Sequence, residues 1–380
     1  MRTARIMLVL IVIISLSLLS CGREETVKMG GLFALSGKAS HIGTPTKLVA
    51  EMIVDKINSE GGIDGKMIEL VSADTESDPS KTIVAAKKLI ERDKVAVLIG
   101  PTTTGTCMAI IDTVQEAQMP MVACVGGTPP VIPVKKWVFK SPQKTVTAVA
   151  KIYGYLKAQG IEKIGIVTAS DGFGKEGRGA LTTLAKEQGI EILEDETFDP
   201  TDIDMTGQLT KIKNSEAQAV ICWTIGPAGA TVAKNVKNLD MTIPLIQCHG
   251  LPDPTYLELA GEAANGSIMP STKLVVADQL PDSDPQKKLL LAFIEEYENT
   301  RKYGKVGAHS GYAWDAIQIA TLAMKKAGTD AAKLRDAIEA TSNYVGVSGV
   351  YNMTAEDHCG LDVDSLVMIK VEDGKWKIIE

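Results

Sequence analysis

Aromatic side chains are scarce in this sequence, only 4% of 380 residues, and histidine is scarcer still, with four. With so few imidazoles, and six cysteines of which no two form a Cys-x-x-Cys pair, there is little material for a metalloenzyme. The 34 glycines set against so few aromatics favour glycine-turned α/β units over an aromatic-rich β-sandwich. Forty basic residues against 47 acidic ones leave a net charge of −7, so there is no broad cationic field to hold nucleic acid. Beyond the first twenty residues no apolar stretch is long enough to span a bilayer, which excludes a polytopic membrane protein. Also missing are the nucleophile elbow G-x-S-x-G, the zinc motif H-E-x-x-H and the phosphate loop G-x-x-x-x-G-K-[ST]. What remains is 45% hydrophobic and 23% charged, a composition that folds, at a length that suits two domains.

Residues 1–20 read as a secretory leader. Arg2 and Arg5 precede an apolar run from Ile6 to Ile14 that continues through Leu16, Leu18 and Leu19. It ends Leu18-Leu19-Ser20-Cys21-Gly22, which resembles the lipobox of bacterial lipoproteins, where the cysteine sulfur receives a diacylglyceryl group. An ordinary signal peptide with a chance cysteine is the alternative. The chain is expected to be exported, lipidated at Cys21, tethered through residues 21–26, and to touch the membrane only through that lipid. Of the other cysteines, Cys107, Cys124, Cys222, Cys248 and Cys359, an odd number cannot all pair. They read as buried free thiols, with a Cys222–Cys248 bridge as the rival.

From Val27 onward, short β-branched runs alternate with helix-length amphipathic segments. Strands are predicted at Val27–Leu32, Met67–Ser72, Val95–Ile99 and Met121–Val125, with helices at Thr46–Ser59, Ser80–Arg92 and Thr106–Ala117. The grammar restarts after Lys144 with strands Ile164–Val167, Ile190–Leu193, Ala219–Trp223 and Pro244–Cys248. Helices Lys175–Gln188, Met205–Asn214 and Ala230–Leu239 lie between them. Helices Pro285–Lys302, His309–Lys326 and Ala331–Ala340 follow without intervening strands and should pack back on an existing sheet. Such alternation predicts an α/β fold with two separate parallel sheets.

In open parallel sheets, ligands sit outside the carboxyl ends of the strands. Four loops qualify: Gly100–Thr106 with its four threonines, Gly126–Pro130, Asp171–Gly174 and Thr224–Gly229. Threonine hydroxyls beside free N–H groups can cradle a carboxylate, although helix capping alone needs one hydroxyl. Gly172-Phe173-Gly174-Lys175-Glu176-Gly177, with Glu191 further on, matches the dinucleotide fingerprint and would suggest a dehydrogenase. That run is expected to begin several residues past its strand, Phe173 would crowd a pyrophosphate, and an exported lipoprotein has little access to soluble NAD. Asp74–Asp78 has a faint look of a calcium loop but lacks the central glycine and closing glutamate, and reads as an acidic turn. His41, His309 and His358 read as surface or core histidines, and no metal or cofactor site is expected.

Several stretches, in order, resemble the type I periplasmic binding proteins of the branched-chain amino acid (leucine/isoleucine/valine) uptake family. They are Leu35-Ser36-Gly37, Ile57–Ile63, Asp74–Leu89, Ile99-Gly100-Pro101, Ser170-Asp171-x-x-Gly174 and Gly346–Val350. The resemblance implies two doubly wound parallel-sheet lobes joined by a three-strand hinge, with crossovers near residues 142, 271 and 351. Lobe 1 would comprise 27–142 plus 272–351, and lobe 2 would comprise 143–271 plus 352–380. It implies no enzymatic activity, a small-molecule carboxylate ligand, an ABC permease and ATPase complex as partners, and a monomer that binds no nucleic acid. Ligand contacts are expected from Thr103, Thr104, Gly126, Gly127 and Thr128 in the first lobe, and from Phe173, Ile225, Gly226 and His249 in the second. The family places an acidic residue near position 249 to pair with the ligand's ammonium; here the run is Gln247-Cys248-His249-Gly250. A neutral imidazole supplies no counter-charge, and losing a charge-assisted bond costs roughly 1.5–3 kcal/mol. Either Asp171 or Asp253 replaces the charge, or the ligand is an amine-free, possibly aromatic, carboxylate. The family's early disulfide is missing, since Ser77 and Thr103 stand at the corresponding positions. A ligand sensor serving a signalling partner would use the same lobes.

Overall fold

The computed structural model describes residues 26–379; the leader and Cys21 lie outside them. The first sheet is built from β1 (Thr26–Phe33), α1 (Ser40–Ser59), β2 (Met67–Asp74), α2 (Pro79–Lys87, continued by a π turn over Lys88–Arg92) and β3 (Val97–Ile99). It continues through α3 (Thr104–Ala109), α4 (Ile111–Glu116), β4 (Met121–Ala123) and β5 (Val138–Lys140). Its strand order is β2-β1-β3-β4-β5, parallel throughout, with Thr26 opposite Met67 and Met29 opposite Val97.

The chain then crosses to a second sheet through α5 (Thr145–Ala158), β6 (Lys163–Ala169), α6 (Gly172–Gln188), β7 (Glu191–Phe198) and α7 (Thr206–Asn214). It is completed by β8 (Ala219–Trp223), α8 (Pro227–Asn238), β9 (Leu245–Gln247), α9 (Pro254–Ala260) and β10 (Ile268–Thr272). Helices α10 (Lys287–Ile294), α11 (Tyr312–Ala327) and α12 (Ala331–Glu339) return to the first sheet. Their Leu290, Ile317 and Ile338 share one core with Met29, Phe33 and Ile53. A short hairpin of β11 (Tyr344–Val345) and β12 (Val350–Tyr351) precedes β13 (Leu366–Glu372) and β14 (Lys375–Ile378). The last two strands add antiparallel to the second sheet, in the order β14-β13-β10-β9-β8-β6-β7. The architecture is α/β with two doubly wound, largely parallel sheets, and the chain passes between them three times.

Several elements differ from expectation for physical reasons. Helix α1 starts six residues before Thr46 because it packs on the end of β1, where a Cβ on Gly43 would lie 2.1 Å from the Ala34 carbonyl oxygen. Tertiary contact there outweighs the local cost of Pro45. The helix predicted over Thr106–Ala117 begins at Thr104 and breaks at Ile110 into α3 and α4. Strand β5 escapes a hydrophobic scan because it ends in Lys140, a fully buried lysine. Strand β10 carries Pro270 inside its pairing with β13. No Cys222–Cys248 bridge forms, and the five described cysteines are free and buried. The register sets Cys222 against Gln247, and the Cys248 thiol donates to the Thr224 carbonyl at 2.9 Å.

Where the chain crosses between sheets it is held by buried polar groups. Asp315 of α11, fully buried, accepts from the Val347 and Ser348 N–H groups, both at 2.7 Å, and from Tyr351 Oη at 2.9 Å. Gln143 donates to the Ser348 carbonyl at 2.6 Å. Each buried donor left without a partner costs about 1–3 kcal/mol. Asp315→Ala should therefore lower the unfolding free energy by about 3 kcal/mol or more, read by urea denaturation at neutral pH. A loss below about 1 kcal/mol would mean that water replaces the carboxylate.

Candidate functional site

A cavity of about 480 Å³ lies between the carboxyl ends of the two sheets. One wall is made by the loops after β1 (Lys38, Ala39), β2 (Ser77), β3 (Thr102–Thr106) and β4 (Cys124, Gly126), with His309 and Tyr312 from the start of α11. The other wall comes from the loops after β6 (Asp171–Phe173), β7 (Pro200, Thr201), β8 (Ile225, Pro227) and β9 (His249, Gly250). Every one of these loops leaves the carboxyl end of a parallel strand, where the fold leaves N–H groups and side chains unspent.

The four threonines of the first loop divide into structural hydroxyls and a free one. Thr102 Oγ1 accepts from the Ala34 N–H at 3.1 Å. Thr103 caps α3, and its hydroxyl lies 2.8 Å from that of Thr106, which in turn donates to the Thr103 carbonyl at 2.9 Å. Thr103 therefore lines the cavity but spends its hydroxyl on the helix cap. Among the described residues Thr104 alone of the four has no partner for its hydroxyl, and its side chain packs over Gly127, whose Cβ would lie 2.6 Å from Thr104 Oγ1.

The glycine loop is fixed from beneath. Lys140 Nζ donates to the carbonyls of Gly126, Gly127 and Gln143 at 2.9, 2.8 and 2.9 Å. Burial pushes the Lys140 ammonium down to about 8. Gly126 faces the cavity, and a Cβ there would lie 2.8 Å from His249 Nε2 and 3.3 Å from Phe173 Cε2. Only a glycine lets the ring edges from the opposite wall come so close. Gly127 lies behind this surface. Thr128 is also withdrawn, because its N–H donates to Glu176 Oε1 at 3.2 Å and its hydroxyl accepts from the Val146 N–H at 3.3 Å. Gly226, with φ of +69°, opens α8 beside the His41 ring, while its neighbours Ile225 and Pro227 reach the cavity. Of the nine expected contacts, Thr103, Thr104, Gly126, Phe173, Ile225 and His249 line the cavity, whereas Gly127, Thr128 and Gly226 support it from behind.

On the opposite wall Phe173, Trp223 and His249 form an aromatic cluster with ring centroids 5.4–5.7 Å apart. His249 is 3% exposed, its Nε2 lies against the Gly126 backbone, and among the described residues neither ring nitrogen makes a hydrogen bond of good geometry. Burial, with Lys140 and His309 adding to it, holds its imidazole down to about 3, so it is neutral across physiological pH. Asp171 supplies a carboxylate to the lining, and among the described residues only one of its two oxygens is bonded. Asp171 Oδ1 accepts from the Phe173 and Gly174 N–H groups at 3.1 and 2.9 Å. Asp253 sits 3.8 Å from His309 Nδ1, outside the lining. Burial opposes its ionisation, but the His309 and Thr255 contacts outweigh that and keep the carboxyl below its usual range.

The glycine run that mimics a dinucleotide motif has another purpose. Contrary to expectation it does not lie well past its strand; α6 begins at Gly172, with only Ser170 and Asp171 after β6. Its first N–H groups are capped by Asp171. A Cβ on Gly174 would lie 2.0 Å from the Ala169 carbonyl oxygen, and one on Gly177 would lie 2.2 Å from the Trp223 ring. These glycines seat the helix on the sheet, and a carboxylate occupies the place a phosphate would need. The Asp74 carboxylate likewise serves its own loop, accepting from Leu35, Ser36 and Glu76 N–H groups at 2.9, 3.2 and 2.8 Å. Among the described residues no group of three or more His, Cys, Asp or Glu is placed to hold a metal ion. None of their helices is long and apolar enough to cross a membrane.

Lys38, Cys124, His309 and Tyr312 line the cavity without any local signal in the sequence. His309, read above as a surface or core residue, reaches the site only because α11 folds back from the second sheet.

Residues 26–375 match the family model of the periplasmic binding proteins. The chain is 24% identical to the Leu/Ile/Val-binding protein BraC3 of Rhizobium johnstonii over 308 residues, 80% of each chain. It is 21% identical to the leucine-, isoleucine-, valine-, threonine-, and alanine-binding protein of Pseudomonas aeruginosa, over 84% of this chain and 83% of that one. An extracellular ligand-binding receptor from Rhodopseudomonas palustris HaA2 superposes with a TM-score of 0.86 at 25% identity, covering 93% of this chain and 99% of that one. The branched-chain amino acid transporter substrate binding protein LivJ of Streptococcus pneumoniae, solved with isoleucine, superposes with a TM-score of 0.82 at 22% identity, covering 93% and 98%, and shares the fold. The chain belongs to the periplasmic binding protein family, type I, and is a solute-binding protein and not an enzyme.

Proposed function

We propose that this protein is a lipid-anchored, extracytoplasmic solute receptor that clamps a small carboxylate between its lobes and delivers it to an ABC permease and ATPase. The halves of the clamp are 27–142 plus 272–351 and 143–271 plus 352–380, and the anchor is the lipidated Cys21. The observation that carries the reading is the pairing of an uncommitted Thr104 hydroxyl and the cavity-lining Gly126 backbone on one wall with Phe173 and His249 on the other. A carboxylate held by the first wall draws the second wall over it, because only the closed form offers both sets of contacts. A branched-chain or other amino acid is the ligand suggested by the relatives' names. An amine-free carboxylate is the second reading, favoured by a neutral His249 in place of an acidic side chain, whereas under the first reading Asp171 of the lining would answer the ammonium.

Calorimetry on the mature protein should detect binding of at least one member of a panel of amino acids and amine-free carboxylates, with a matching rise in Tm. Thr104→Val removes one charge-assisted bond and should weaken that ligand about 10- to 100-fold. An unchanged Kd would take Thr104 out of the site.

Closure also requires that nothing intrude between Gly126 and the two rings. Gly126→Ala should fold normally yet bind at least tenfold more weakly, because a methyl group there meets His249 Nε2 at 2.8 Å. Small-angle scattering at saturating ligand should show the variant more open than the parent; identical profiles would count against the clamp.

The sign of the pH dependence follows from His249. Its ordinary value is 6.5 and the buried value is about 3, so below pH 6.5 the unfolded chain binds a proton that the folded form excludes, and a cleft that opens far enough to wet the ring would share in it. Its contribution to stability is complete above about pH 6.5 and declines as pH falls toward 3. Affinity should drop by up to about tenfold per pH unit in that window, and His249→Gln should flatten the decline. Subtracting the two profiles separates His249 from Asp315, whose carboxyl burial raises to about 6 and which acts in the opposite sense.

A further inference from the structure

The local structure accounts for only half of the Asp253 carboxylate. Its Oδ1 caps α9 by accepting from the Thr255 N–H at 2.9 Å, and a cap needs no more than that. Its Oδ2 leaves its own half of the clamp. That oxygen lies 3.8 Å from His309 Nδ1, and 2.3 Å from where a Cβ on Gly307 would be. Both partners belong to the segment that leads into α11, in the opposite half. The same two segments are joined by the Ala308 N–H, which donates to the Pro252 carbonyl at 2.9 Å. Asp253 does not line the cavity, so it cannot act by touching a solute there.

Gly126, Gly226 and Gly307 each have a side chain of the opposite half against them across the cleft: His249, His41 and Asp253 respectively. Two of the three have another reason to be glycine. Gly226 has a φ of +69°, which its backbone alone requires, and Gly126 borders the solute. Gly307 has neither reason. Its φ is −122°, which any residue adopts, and it lies outside the lining. A side chain at Gly307 would fit its own half and collide only with Asp253 and the adjoining Pro254 of the other.

We infer that Asp253 is a positioning residue for closure, a carboxylate that seats in the notch at Gly307 beside His309 and holds the two halves together without touching the solute. The inference rests on the clamp reading and adds the contact that sets how long the clamp stays shut. A contact made only in the closed form favours that form by the same amount whatever is bound. It therefore multiplies the affinity of every solute by one factor and does not discriminate among them.

Two variants of the mature protein separate this contact from the helix cap. Asp253→Asn keeps an oxygen for the cap and removes the charge. Gly307→Ala leaves its own backbone unstrained and fills the notch. With leucine, phenylalanine and 4-methylpentanoate as probes, Gly307→Ala should speed dissociation and weaken each probe that binds by about 10- to 50-fold. Asp253→Asn should do so by about 3- to 10-fold, and in both variants the probes should keep their order of affinity. Combining the two should weaken binding no more than about threefold beyond Gly307→Ala, because the carboxylate is already unseated. A solute-free arm pairs Asp253→Cys with Gly307→Cys. The Asp253 Cγ, where a cysteine sulfur would stand, lies 3.1 Å from the Gly307 Cβ position, within bridging reach. Mild oxidation should link this pair, read as the loss of two thiols and a smaller radius of gyration than in the reduced protein. A loss confined to one probe, unchanged dissociation in both single variants, or a cysteine pair that resists oxidation would each overturn the proposal. A failure of the clamp reading looks different and takes the contact's role with it: the bridged and reduced proteins would then scatter identically.

Discussion

The buried ammonium of Lys140 ties the structure of the site together. A lysine with no exposure and, among the described residues, no carboxylate within ion-pair distance would be costly unless its donors were satisfied. Here three carbonyls satisfy it, two from the Gly126-Gly127 turn and one from Gln143, where the chain leaves the first sheet for the second. One side chain thus sets both the shape of the cavity floor and the start of a crossing between the halves. Fixing the turn's carbonyls downward leaves the Gly126 edge facing the cavity, which is the geometry a carboxylate needs. The same cation reinforces the neutrality of His249 and gives the cavity floor a positive bias without placing a charge in the lining.

That arrangement separates two tasks often assigned to the same residues. Thr102, Thr103 and Thr106 hold the loop, with every hydroxyl engaged by backbone or by each other. Thr104 is left over. The glycines divide in the same way: Gly174 and Gly177 permit close packing of α6, whereas Gly126 permits close approach across the cavity. A residue's type alone does not tell which task it has, because a cap and a ligand contact draw on the same oxygen.

This bears on how far the sequence could be read. Alternating β and α segments, and helices without strands between them, were enough for the two sheets and for the return of α10–α12. The loops that line the cavity were also legible, because the carboxyl ends of parallel strands are where the fold leaves polar groups unspent. What could not be read were features set by contacts distant along the chain. Lys140 disguised β5 because the carbonyls that satisfy it, from the Gly126-Gly127 turn and from Gln143, meet only in the folded chain. The early start of α1 depends on the Ala34 carbonyl. Thr128 looked like a ligand contact, yet Glu176 from the other sheet claims its N–H. His309 carries no pattern at all and becomes part of the wall through the fold alone.

For the clamp proposed above, the energetic question is how much the solute must contribute. Some contacts between the halves involve no solute: Ala308 N–H donates to the Pro252 carbonyl at 2.9 Å, and Glu176 reaches Thr128 at 3.2 Å. Burial of Glu176 raises its carboxyl above the ordinary value, against the lowering by its Thr145 and Thr128 hydrogen bonds. Against these contacts stand the desolvation of His249 and the ordering of both walls. Terms of this size nearly cancel, so a ligand that contacts both walls need supply only a few kcal/mol of differential affinity to shift the population. A solute that engages Thr104 but does not reach the second wall gives up the part of its binding that only the closed form provides. It would occupy the first wall without closing the second, so selection in such a receptor lies in closure rather than in first contact.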